Sequence, residues 1–482
     1  MVLPNIPALF SSFMKRCIYK ANDGTDRISE LPSEIIVKIL YLLPTRDVVR
    51  TSVLSRKWRY MWILVPRLDL EDFYRMCKSV GYGDTAIFGI MSGFVMLHDG
   101  PIYNVSLDIP MGNSFRIRFI NNWLKILSKC GLQEIILHNS EEGIYEVPSN
   151  LFSLQTLTHC MLKYLQLSLP PKFGGFKYLY RLDLSHVKVD SDELDTLISL
   201  SPVITIVFLQ FCYGLEYINF SSTTLTSLCV HNCEDMKSFS FQNSNNLIDL
   251  SINCIDPYLK NLEKQSISSF MKDLRNINSI LLGESYIKLL SSGIIPDSLH
   301  WSIDILKYLD LHNLDFNESR QLLLIICLLR SSPNLLGLYI KSHIITLEPE
   351  LLNELECRSF CHSKLKTVEI EVETPCKHAL LLIRFLLANS SSLEILKLKV
   401  NPNIRTLDLS LMLSTSQGLL EMERASPRAQ IKFIYPNFII IKDVIPIWLR
   451  DYSDDPSSKP SFLVRIKSFI CDFCSMFYMP PI

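Results

Sequence analysis

Cysteine and histidine residues with the chemistry of metal ligands gather near residue 360. Thiolates and imidazoles bind Zn²⁺, and structural zinc sites place them in closely spaced pairs. The residues in question are Cys357, Cys361, His362, Cys376 and His378, together with a lone C-x-x-C at Cys471 and Cys474. Neither group has the paired spacing of a zinc site, so we expect no metal ion and interpret the thiols as free.

Motifs for other chemistry are also incomplete. The glycine-containing run GYGDTAIFG, residues 81–89, lacks the Lys-Ser/Thr end of a phosphate-binding loop. The sequence contains neither the G-x-S-x-G turn of serine hydrolases nor the H-E-x-x-H helix of zinc proteases. We therefore predict no catalytic residue and no cofactor.

The overall composition narrows the class of protein. The chain has 482 residues, 48% of them hydrophobic, and 48 basic residues stand against 49 acidic ones, for a net charge of −1. Nucleic-acid-binding proteins usually carry a basic surface, so this balance gives no support for that class. The hydrophobic content predicts a chain that folds over most of its length.

Cysteine usage and the chain ends predict a compartment. The sequence has 14 cysteines without a regular spacing, and its first residues do not form a secretory leader. We expect free thiols in a reducing compartment, which means the cytoplasm, the nucleus or both. The most apolar stretch, residues 462–482, is interrupted by Arg465, Lys467 and Asp472 and is not a transmembrane helix. We expect neither a membrane nor a nucleic acid as partner.

Three short helices are predicted between residues 27 and 67. Pro44 ends the first helix, and Thr45 is expected to cap the second. A third segment places Leu54, Trp58 and Trp62 on one helical face. The apolar residues at helical spacing are Leu31, Ile35, Ile39 and Leu42 or Leu43 in the first helix, and Val48, Val49 and Val53 in the second.

This module carries more apolar surface than about 40 residues usually bury. Surplus apolar surface on a small scaffold indicates a docking face for another protein. Residues 27–67 include eight basic and three acidic side chains, a local charge that suits an acidic partner. The alternative is that Trp58 and Trp62 fill the core of the module itself.

The stretch DRISELPSEIIVKILYLLPTRDVVRTSVLSRKWRYMW, residues 26–62, resembles the F-box of the large plant F-box family. The resemblance is carried by its opening DRISELP, its centre LPT.D.VRTSVLS and its end RKWR..W. It implies that residues 27–67 bind the Skp-type adaptor of an SCF ubiquitin ligase, and through it the cullin and RING subunits. The adaptor-binding residues that it implies are Leu31, Pro32, Ile35, Ile39, Leu42, Leu43, Pro44, Val49, Leu54, Ser55 and Trp58.

The pattern L-x-x-L-x-L recurs through the middle of the chain. Twelve copies at intervals of 21 to 30 residues are typical of a leucine-rich-repeat solenoid. The fold class predicted for residues 98–356 is therefore α/β, a parallel-sheet horseshoe preceded by the small all-α module. Helices are predicted between strands, for example at residues 191–202 and 318–333. The copies begin at Ile102, Leu132, Leu157, Leu179, Ile204, Leu225, Leu247, Ile277, Leu306, Leu335, Leu365 and Leu393.

Alternate residues of each predicted strand face the concave surface of the solenoid. They mix apolar, polar and oppositely charged types, which suits a protein or peptide better than a phosphate backbone. The alternative is that they face water or pair with one another, as Glu369 and Glu371 would with Lys397 and Lys399. The candidate substrate-binding patch is Asp310, His312, Tyr339 and Lys341.

Residues 357–433 resemble the FBD motif that follows F-box and leucine-rich repeats in many plant proteins. The resemblance rests on LKTVEI, FLLANSSSLEILKL and RASPRAQIKF. An apolar helix is predicted at residues 379–388, and the region is expected to cap the solenoid. The leader, residues 1–26, is expected to be flexible, and the tail, residues 434–482, matches no part of the family pattern.

Together these features predict a substrate-recognition subunit of an SCF-type E3 ubiquitin ligase. By resemblance it is not an enzyme, because no cysteine lies in a ubiquitin-transfer motif. The alternatives are a small-molecule receptor or a non-degradative scaffold built on the same architecture. The predicted concave face has no tight Lys/Arg cluster that favours an anionic ligand.

Overall fold

The computed structural model describes residues 28–434 except 109–113, 140–142, 144, 221, 242–243, 255–265, 317, 343–361, 374–376 and 401–408. The chain divides into two units, Met1–Tyr435 and Pro436–Ile482. The second unit, the predicted leader 1–26 and nearly all of the tail 434–482 lie outside the described residues. So do five of the candidate metal ligands, Cys357, Cys361, Cys376, Cys471 and Cys474.

The N-terminal module begins with two short helices, Ser33–Tyr41 and Thr45–Arg50. Pro32 and Pro44 occupy the two N-cap positions. The prediction that Thr45 caps the second helix is therefore wrong. Instead, Thr45 is the first helical residue, and its Oγ1 accepts a hydrogen bond from the backbone N–H of Asp69 at 3.3 Å.

The third predicted helix is replaced by two 3₁₀ segments, Thr51–Val53 and Trp58–Leu64. The prediction that Leu54 shares a face with the two tryptophans is wrong, because the backbone between the segments does not continue a helix. Leu54 is exposed, whereas Trp58 and Trp62 are buried.

One large parallel sheet forms most of the molecule, with 14 strands within the described residues. Two further two-stranded parallel sheets pair β4 (Tyr145–Glu146) with β6 (Leu165–Gln166), and β9 (Tyr217–Asn219) with β11 (Ser238–Ser240). In order across the large sheet the strands are β1 (Arg67–Asp69), β2 (Asn104–Asp108), β3 (Glu134–His138), β5 (His159–Lys163), β7 (Arg181–Ser185), β8 (Ile206–Gln210), β10 (Ser227–His231), β12 (Asp249–Asn253), β13 (Ser279–Leu282), β14 (Tyr308–Leu314), β15 (Gly337–Ser342), β16 (Thr367–Val372), β17 (Ile395–Val400) and β18 (Gln430–Ile434).

The twelve predicted repeat starts coincide with twelve of these strands, β2 to β17. Each lies two residues before its strand and is almost completely buried, with at most 1% of its surface exposed. Parallel neighbours place equivalent residues side by side, so these side chains stack into one continuous core. The α/β leucine-rich-repeat solenoid is thereby confirmed.

Helices join many of the strands, and three of them were predicted from the sequence. The helices at Ser191–Ser199, Ser319–Ser331 and Lys377–Asn389 confirm those predictions within a few residues. Within the described residues, the other connecting helices and 3₁₀ segments are Leu70–Ser79, Asp84–Leu97, Ser114–Leu127, Ser149–Ser153, Ile267–Lys272, Glu284–Ser292 and Leu409–Glu421.

The N-terminal module packs directly on the start of the sheet. Its last residues lead into β1, which pairs with β2. The ring of Trp62 lies 4.7 Å from that of Phe94, which in turn lies 4.7 Å from Phe73. Buried aromatic pairs of this kind stabilise by about 0.5–1.5 kcal/mol beyond their buried area. The module and the first repeats therefore share one core.

The C-terminal part extends the same sheet. β16, β17 and β18 pair in parallel and continue the register of the preceding strands. The helix at Leu409–Glu421 precedes β18. Residues 362–434, where described, therefore add strands to the solenoid. Among the described residues, no helix is both long and apolar enough to cross a membrane.

Candidate functional site

The first helix of the N-terminal module is apolar on two sides. Ile36 and Leu40 are completely buried in the core. Ile35, Ile39 and Leu42 point away from it, with 40%, 37% and 81% of their surfaces exposed. Exposing large apolar side chains at i, i+4 and i+7 costs solubility, and a monomer with this pattern usually binds a partner there.

Other residues of the predicted adaptor-binding set border this apolar face. Pro32, Pro44 and Leu54 are exposed, and Leu31, Leu43 and Ser55 are partly buried. We call the nine accessible residues the apolar helix face. They are Leu31, Pro32, Ile35, Ile39, Leu42, Leu43, Pro44, Leu54 and Ser55.

Two residues of the predicted set lie in the core instead. Val49 is 2% exposed and Trp58 is 3% exposed. Trp58 Nε1 donates a hydrogen bond to the carbonyl of Ile28 at 3.3 Å, and Lys57 Nζ donates to that of Leu31 at 2.5 Å. The bonds from Trp58 and Lys57 tie the segment before the first helix to the start of the 3₁₀ segment at Trp58–Leu64, whereas Val49 contributes to the core.

The four residues of the predicted substrate-binding patch are adjacent on the sheet. Register pairs Asp310 with Tyr339 and His312 with Lys341 on β14 and β15. The rings of His312 and Tyr339 lie 5.3 Å apart. The structure therefore brings the four together on the face that carries the partly exposed alternate residues, which we call the open face.

Glu371, on the next strand, connects this patch to its neighbours. Its carboxylate accepts hydrogen bonds from the Tyr339 hydroxyl at 3.1 Å and from Lys399 Nζ at 2.9 Å, and Lys341 Nζ lies 3.5 Å away. Lys397 Nζ likewise donates to Glu369 at 3.2 Å. The predicted pairing of the two glutamates with the two lysines is confirmed.

The electrostatics of Glu371 follow from this arrangement. Only 6% of the residue is exposed, and burial alone raises the pKa of a carboxyl group. The hydrogen bond from Lys399, the charges of Lys341 and Lys399 and the Tyr339 hydroxyl outweigh burial, so the pKa of Glu371 lies below its ordinary value. The pKa of Tyr339 is raised by burial and by the adjacent carboxylates. The glutamate is therefore ionised and the tyrosine protonated at neutral pH.

A second buried carboxylate lies on the open face in the first half of the sheet. Asp183 is 3% exposed, and its oxygens accept hydrogen bonds from Arg181 Nε at 2.8 and 3.0 Å. The Nε2 of His159 lies 2.7 Å from the same carboxylate. Ile136, Met161 and Phe208 lie in the same row of the open face, partly exposed.

Aromatic rings line the carboxyl ends of four neighbouring strands in this first half. We call His138, Tyr164, His186 and Phe211 the ring ladder. The centroids of successive rings lie 5.5, 4.4 and 4.7 Å apart, and the last two pairs are stacked at 20° and 25°. Tyr164 is 39% exposed, and the other three are partly buried.

The ladder residues that follow β5, β7 and β8 have an unusual backbone. Tyr164, His186 and Phe211 have φ values of 55°, 54° and 51°, in the left-handed region. This conformation costs an aromatic residue about 1 kcal/mol, while asparagine adopts it more readily. At the equivalent position after β10 the chain has Asn232, with a φ of 50°. The backbone of the repeat therefore requires the conformation but not the rings.

His362 is the one candidate metal ligand whose side chain is described. It is buried, and its Nε2 donates to the backbone carbonyl of Ser332 at 2.8 Å. Within the described ranges, no group of three or more His, Cys, Asp or Glu residues is placed to hold a metal ion.

Comparison with known protein families identifies both parts of the molecule. Residues 28–69 match the F-box domain. Residues 120–340 match the family described as FBD-associated F-box protein At5g56370, LRR repeats. The chain therefore contains an F-box domain followed by leucine-rich repeats of the FBD-associated F-box type.

Individual relatives of this F-box protein come from Arabidopsis thaliana. F-box/FBD/LRR-repeat protein At1g13570 is 29% identical over 427 residues, which cover 86% of this chain and 99% of the relative. F-box/LRR-repeat protein 13 is 30% identical over 213 residues, 43% of this chain and 46% of the relative. FBD-associated F-box protein At5g56370 is 34% identical over 185 residues, 38% and 42% of the two chains. The last two matches therefore span less than half of each relative.

Sequence reasoning about this F-box protein missed several features of its surfaces. Ile28, Tyr41 and Tyr60 are exposed apolar residues of the F-box that were not assigned to any surface. The ring ladder was missed because its residues lie at the edge of the leucine pattern. His138 is the last residue of its strand, and Tyr164, His186 and Phe211 each follow the last residue of a strand. Its one signal was an aromatic or imidazole side chain at similar positions in four consecutive repeats.

Proposed function

We propose that this F-box protein is a substrate-recognition subunit of an SCF-type E3 ubiquitin ligase complex. The apolar helix face binds a Skp-type adaptor, which joins it to the cullin and RING subunits. The repeats and the FBD-like region bind a target protein. The observation that carries the proposal is the exposure of Ile35, Ile39 and Leu42 on a helix whose other apolar side is already buried.

The proposed mechanism is proximity rather than catalysis by this chain. A receptor that holds its target beside a ubiquitin-loaded enzyme raises the effective concentration of the acceptor lysine. Direct packing of the F-box on the first repeats supports this role, because it joins the adaptor-binding and target-binding parts through Trp62 and Phe94. We place the protein in the cytoplasm, the nucleus or both.

Asp310, His312, Tyr339 and Lys341 are the candidate target contacts in this proposal. Tyr339 and Lys341 are held by Glu371, so a target would meet side chains that are already oriented. Preoriented side chains lose less conformational entropy on binding than mobile ones. Charge reversal at Lys341 combined with Tyr339→Ala should weaken target capture and leave adaptor binding unchanged.

The adaptor surface is tested by replacing Ile39 and Leu42 with alanine in the full chain. Both side chains are exposed, so the double variant should fold normally. We expect adaptor affinity to fall by at least about 30-fold, the equivalent of about 2 kcal/mol, if the two residues are binding hot spots. Isothermal titration with a purified Skp-type adaptor measures the change.

The matched control is Ile294→Ala, because Ile294 is 90% exposed and lies in the repeats rather than the F-box. This variant should bind the adaptor as the wild type does. Equal affinity of the wild type and the Ile39→Ala, Leu42→Ala variant would contradict the assignment of the adaptor surface.

A further inference from the structure

Three lysines lie side by side on the last two strands of the open face. Lys397 and Lys399 are alternate residues of β17, and register pairs Lys397 with Lys432 on β18. Ile431 and Phe433 pack against the core, so Lys432 between them turns to the open face, where it is exposed. The leucine pattern ends before β18, so it does not predict Lys432 on this surface. We call Lys397, Lys399 and Lys432 the lysine group.

The carboxylates on the neighbouring strand do not balance the lysine group. Glu369 accepts a hydrogen bond from Lys397 at 3.2 Å, and Glu371 accepts one from Lys399 at 2.9 Å. Lys432 has no ion-pair partner among the residues that the structure describes. Three lysines on β17 and β18 therefore face two glutamates on β16, which leaves one positive charge over.

More distant carboxylates do not supply the missing charge. Glu394, just before β17, pairs with Lys366 at 3.0 Å. Asp310 on β14 lies four strands from Lys432, or about 19 Å, since neighbouring strands lie about 4.8 Å apart. Glu373 lies two strands away and beyond the end of β16. These distances exceed the screening length of about 8–10 Å at physiological salt, so the excess charge is local to the lysine group.

The fold does not require a lysine at position 432. Like charges that lie directly opposite each other on neighbouring strands destabilise a sheet. Lys397 and Lys432 are such a pair, whereas a neutral polar residue at position 432 would occupy the same exposed site without repulsion. A local cost to stability is typical of functional sites. The repulsion is relieved when an anion lies between the two ammonium groups.

We propose that the lysine group binds an acidic segment of the target protein, with one carboxylate between Lys397 and Lys432. A single carboxylate carries the one negative charge that the group lacks. A phosphate group would bring about two charges and would be repelled more strongly by Glu369 and Glu371. The chemistry of the lysine group therefore favours Asp or Glu side chains.

The lysine group continues the candidate target patch around Tyr339. Lys341 of that patch lies 3.5 Å from Glu371, which also binds Lys399 at 2.9 Å. β15 and β18 are three strand spacings apart, about 14 Å, a distance that about four or five extended residues span. This inference rests on the proposed function, because it names the class of target segment. The segment carries an acidic residue about four or five positions from the residue that contacts Tyr339.

A fluorescein-labelled peptide of eight glutamates tests the proposal on the full chain, with fluorescence anisotropy as the measurement. The wild type should bind this octaglutamate at about 20 mM NaCl and release it as NaCl rises to about 300 mM, because salt screens exposed charges. A labelled peptide of eight glutamines should not bind. Equal binding of the two peptides, or no binding of octaglutamate, would overturn the proposal.

Two variants locate the octaglutamate site. Lys432→Gln keeps both ion pairs with β16, and Lys397→Gln with Lys432→Gln removes two of the three charges. We expect octaglutamate affinity to fall at least about 3-fold and about 10-fold, respectively. The matched control is Lys272→Gln, because Lys272 is an exposed lysine in the helix Ile267–Lys272, and its loss should leave the affinity unchanged. Wild-type affinity of both lysine-group variants would contradict the assignment of the site.

Three further measurements separate this proposal from its alternatives. Thermal denaturation of Lys432→Gln should give a Tm no lower than that of the wild type, because the variant relieves repulsion. A lower Tm would mean that Lys432 serves the fold, against the proposal. Inorganic phosphate should displace octaglutamate no better than NaCl at equal ionic strength, and stronger displacement would assign the group to phosphate instead. Adaptor affinity of the wild type is measured separately, and a chain that binds octaglutamate at the lysine group but not the adaptor would contradict the proposed function alone.

Discussion

The two halves of the open face use the same backbone for different surfaces. In the second half, around β14 to β17, Glu369 and Glu371 each pair with a lysine on the next strand, and Glu371 also accepts a hydrogen bond from the Tyr339 hydroxyl. In the first half, around β3 to β8, the buried carboxylate of Asp183 is bonded to Arg181 and His159, apolar side chains share its row, and the ring ladder lies at the strand ends.

The difference shows that one repeat scaffold can carry two kinds of surface. Parallel register places equivalent residues side by side in both halves, so the side-chain types alone decide what the surface does. In the second half, charges that pair with one another fix the positions of the side chains on the surface. In the first half, the partly exposed residues include ring edges and apolar side chains.

The largest expected effect comes from removing the centre of the second-half network. Glu371→Ala leaves Lys341, Lys399 and the Tyr339 hydroxyl without their common partner. Because both lysines are about one-third exposed and can turn toward water, we expect a loss of about 2–3 kcal/mol in the free energy of unfolding. Urea denaturation measures it. Glu369→Ala removes a carboxylate that pairs with Lys397 at the surface and should lose less than about 1 kcal/mol. Equal losses for the two variants would contradict the central role of Glu371.

A second prediction concerns the pH dependence of the same network. The pKa of Glu371 in the folded chain lies below the ordinary value of 4.5, so its stabilising contribution is complete above that pH and is lost as the pH falls through the folded pKa. The stability difference between the wild type and Glu371→Gln should therefore be constant near neutral pH and shrink below pH 4.5. A difference that grows on acidification would show that the folded pKa is raised instead.

A smaller effect is expected from Tyr339→Phe. This change removes one hydroxyl, which donates to Glu371 at 3.1 Å, and leaves the ring packed against His312. The free energy of unfolding should fall by about 1.5 kcal/mol, the lower end of the range for one hydrogen bond to a charged group. In the Glu371→Ala background the same change should cost less than in the wild type, because the hydrogen bond to Glu371 is already absent there. An equal cost in both backgrounds would contradict the role of this hydrogen bond.

The smallest effect on stability is expected from Tyr164→Asn in the first half. The variant loses stacking on His186, worth about 0.5–1.5 kcal/mol, and relieves about 1 kcal/mol of backbone strain. Thermal and urea denaturation should therefore detect a change of less than about 1 kcal/mol. The reciprocal variant Asn232→Tyr introduces the same backbone strain after β10. Its free energy of unfolding should fall, unless the new ring stacks on the ladder and offsets the strain. A large loss for Tyr164→Asn would mean that the rings serve mainly to stabilise the sheet edge.

The comparison also separates what could be predicted on the open face from what could not. Register pairing of Asp310 with Tyr339 and of His312 with Lys341 followed from repeat spacing, because parallel strands align equivalent positions. The role of Glu371 as a shared partner of three side chains did not follow, since it depends on rotamers across three strands. The ring ladder depends on the turn geometry after each strand, which the leucine pattern does not encode.

In the F-box too, the sequence predicted the element, and packing decided which of its side chains are exposed. Its helical periodicity correctly predicted an apolar helix from about Leu31 to Leu43, but not which apolar residues face outward. Ile35 and Ile36 are neighbours of the same type, and only packing against the 3₁₀ segment at Trp58–Leu64 leaves the first exposed and the second buried. Packing between elements of the module also buries Val49 and Trp58.

The amino-acid sequence by itself determined the architecture of this F-box protein. Twelve leucine or isoleucine positions, 21 to 30 residues apart, specify strands that bury one side, because each repeat can hide its apolar residues only against the next. Tertiary structure alone decided which apolar side chains remain on the surface, which charges neutralise one another and where the rings stack. Those outcomes depend on distances between residues that are 20 or more positions apart, such as Tyr164 and His186 or Glu371 and Lys399, and local sequence patterns carry no information about such distances.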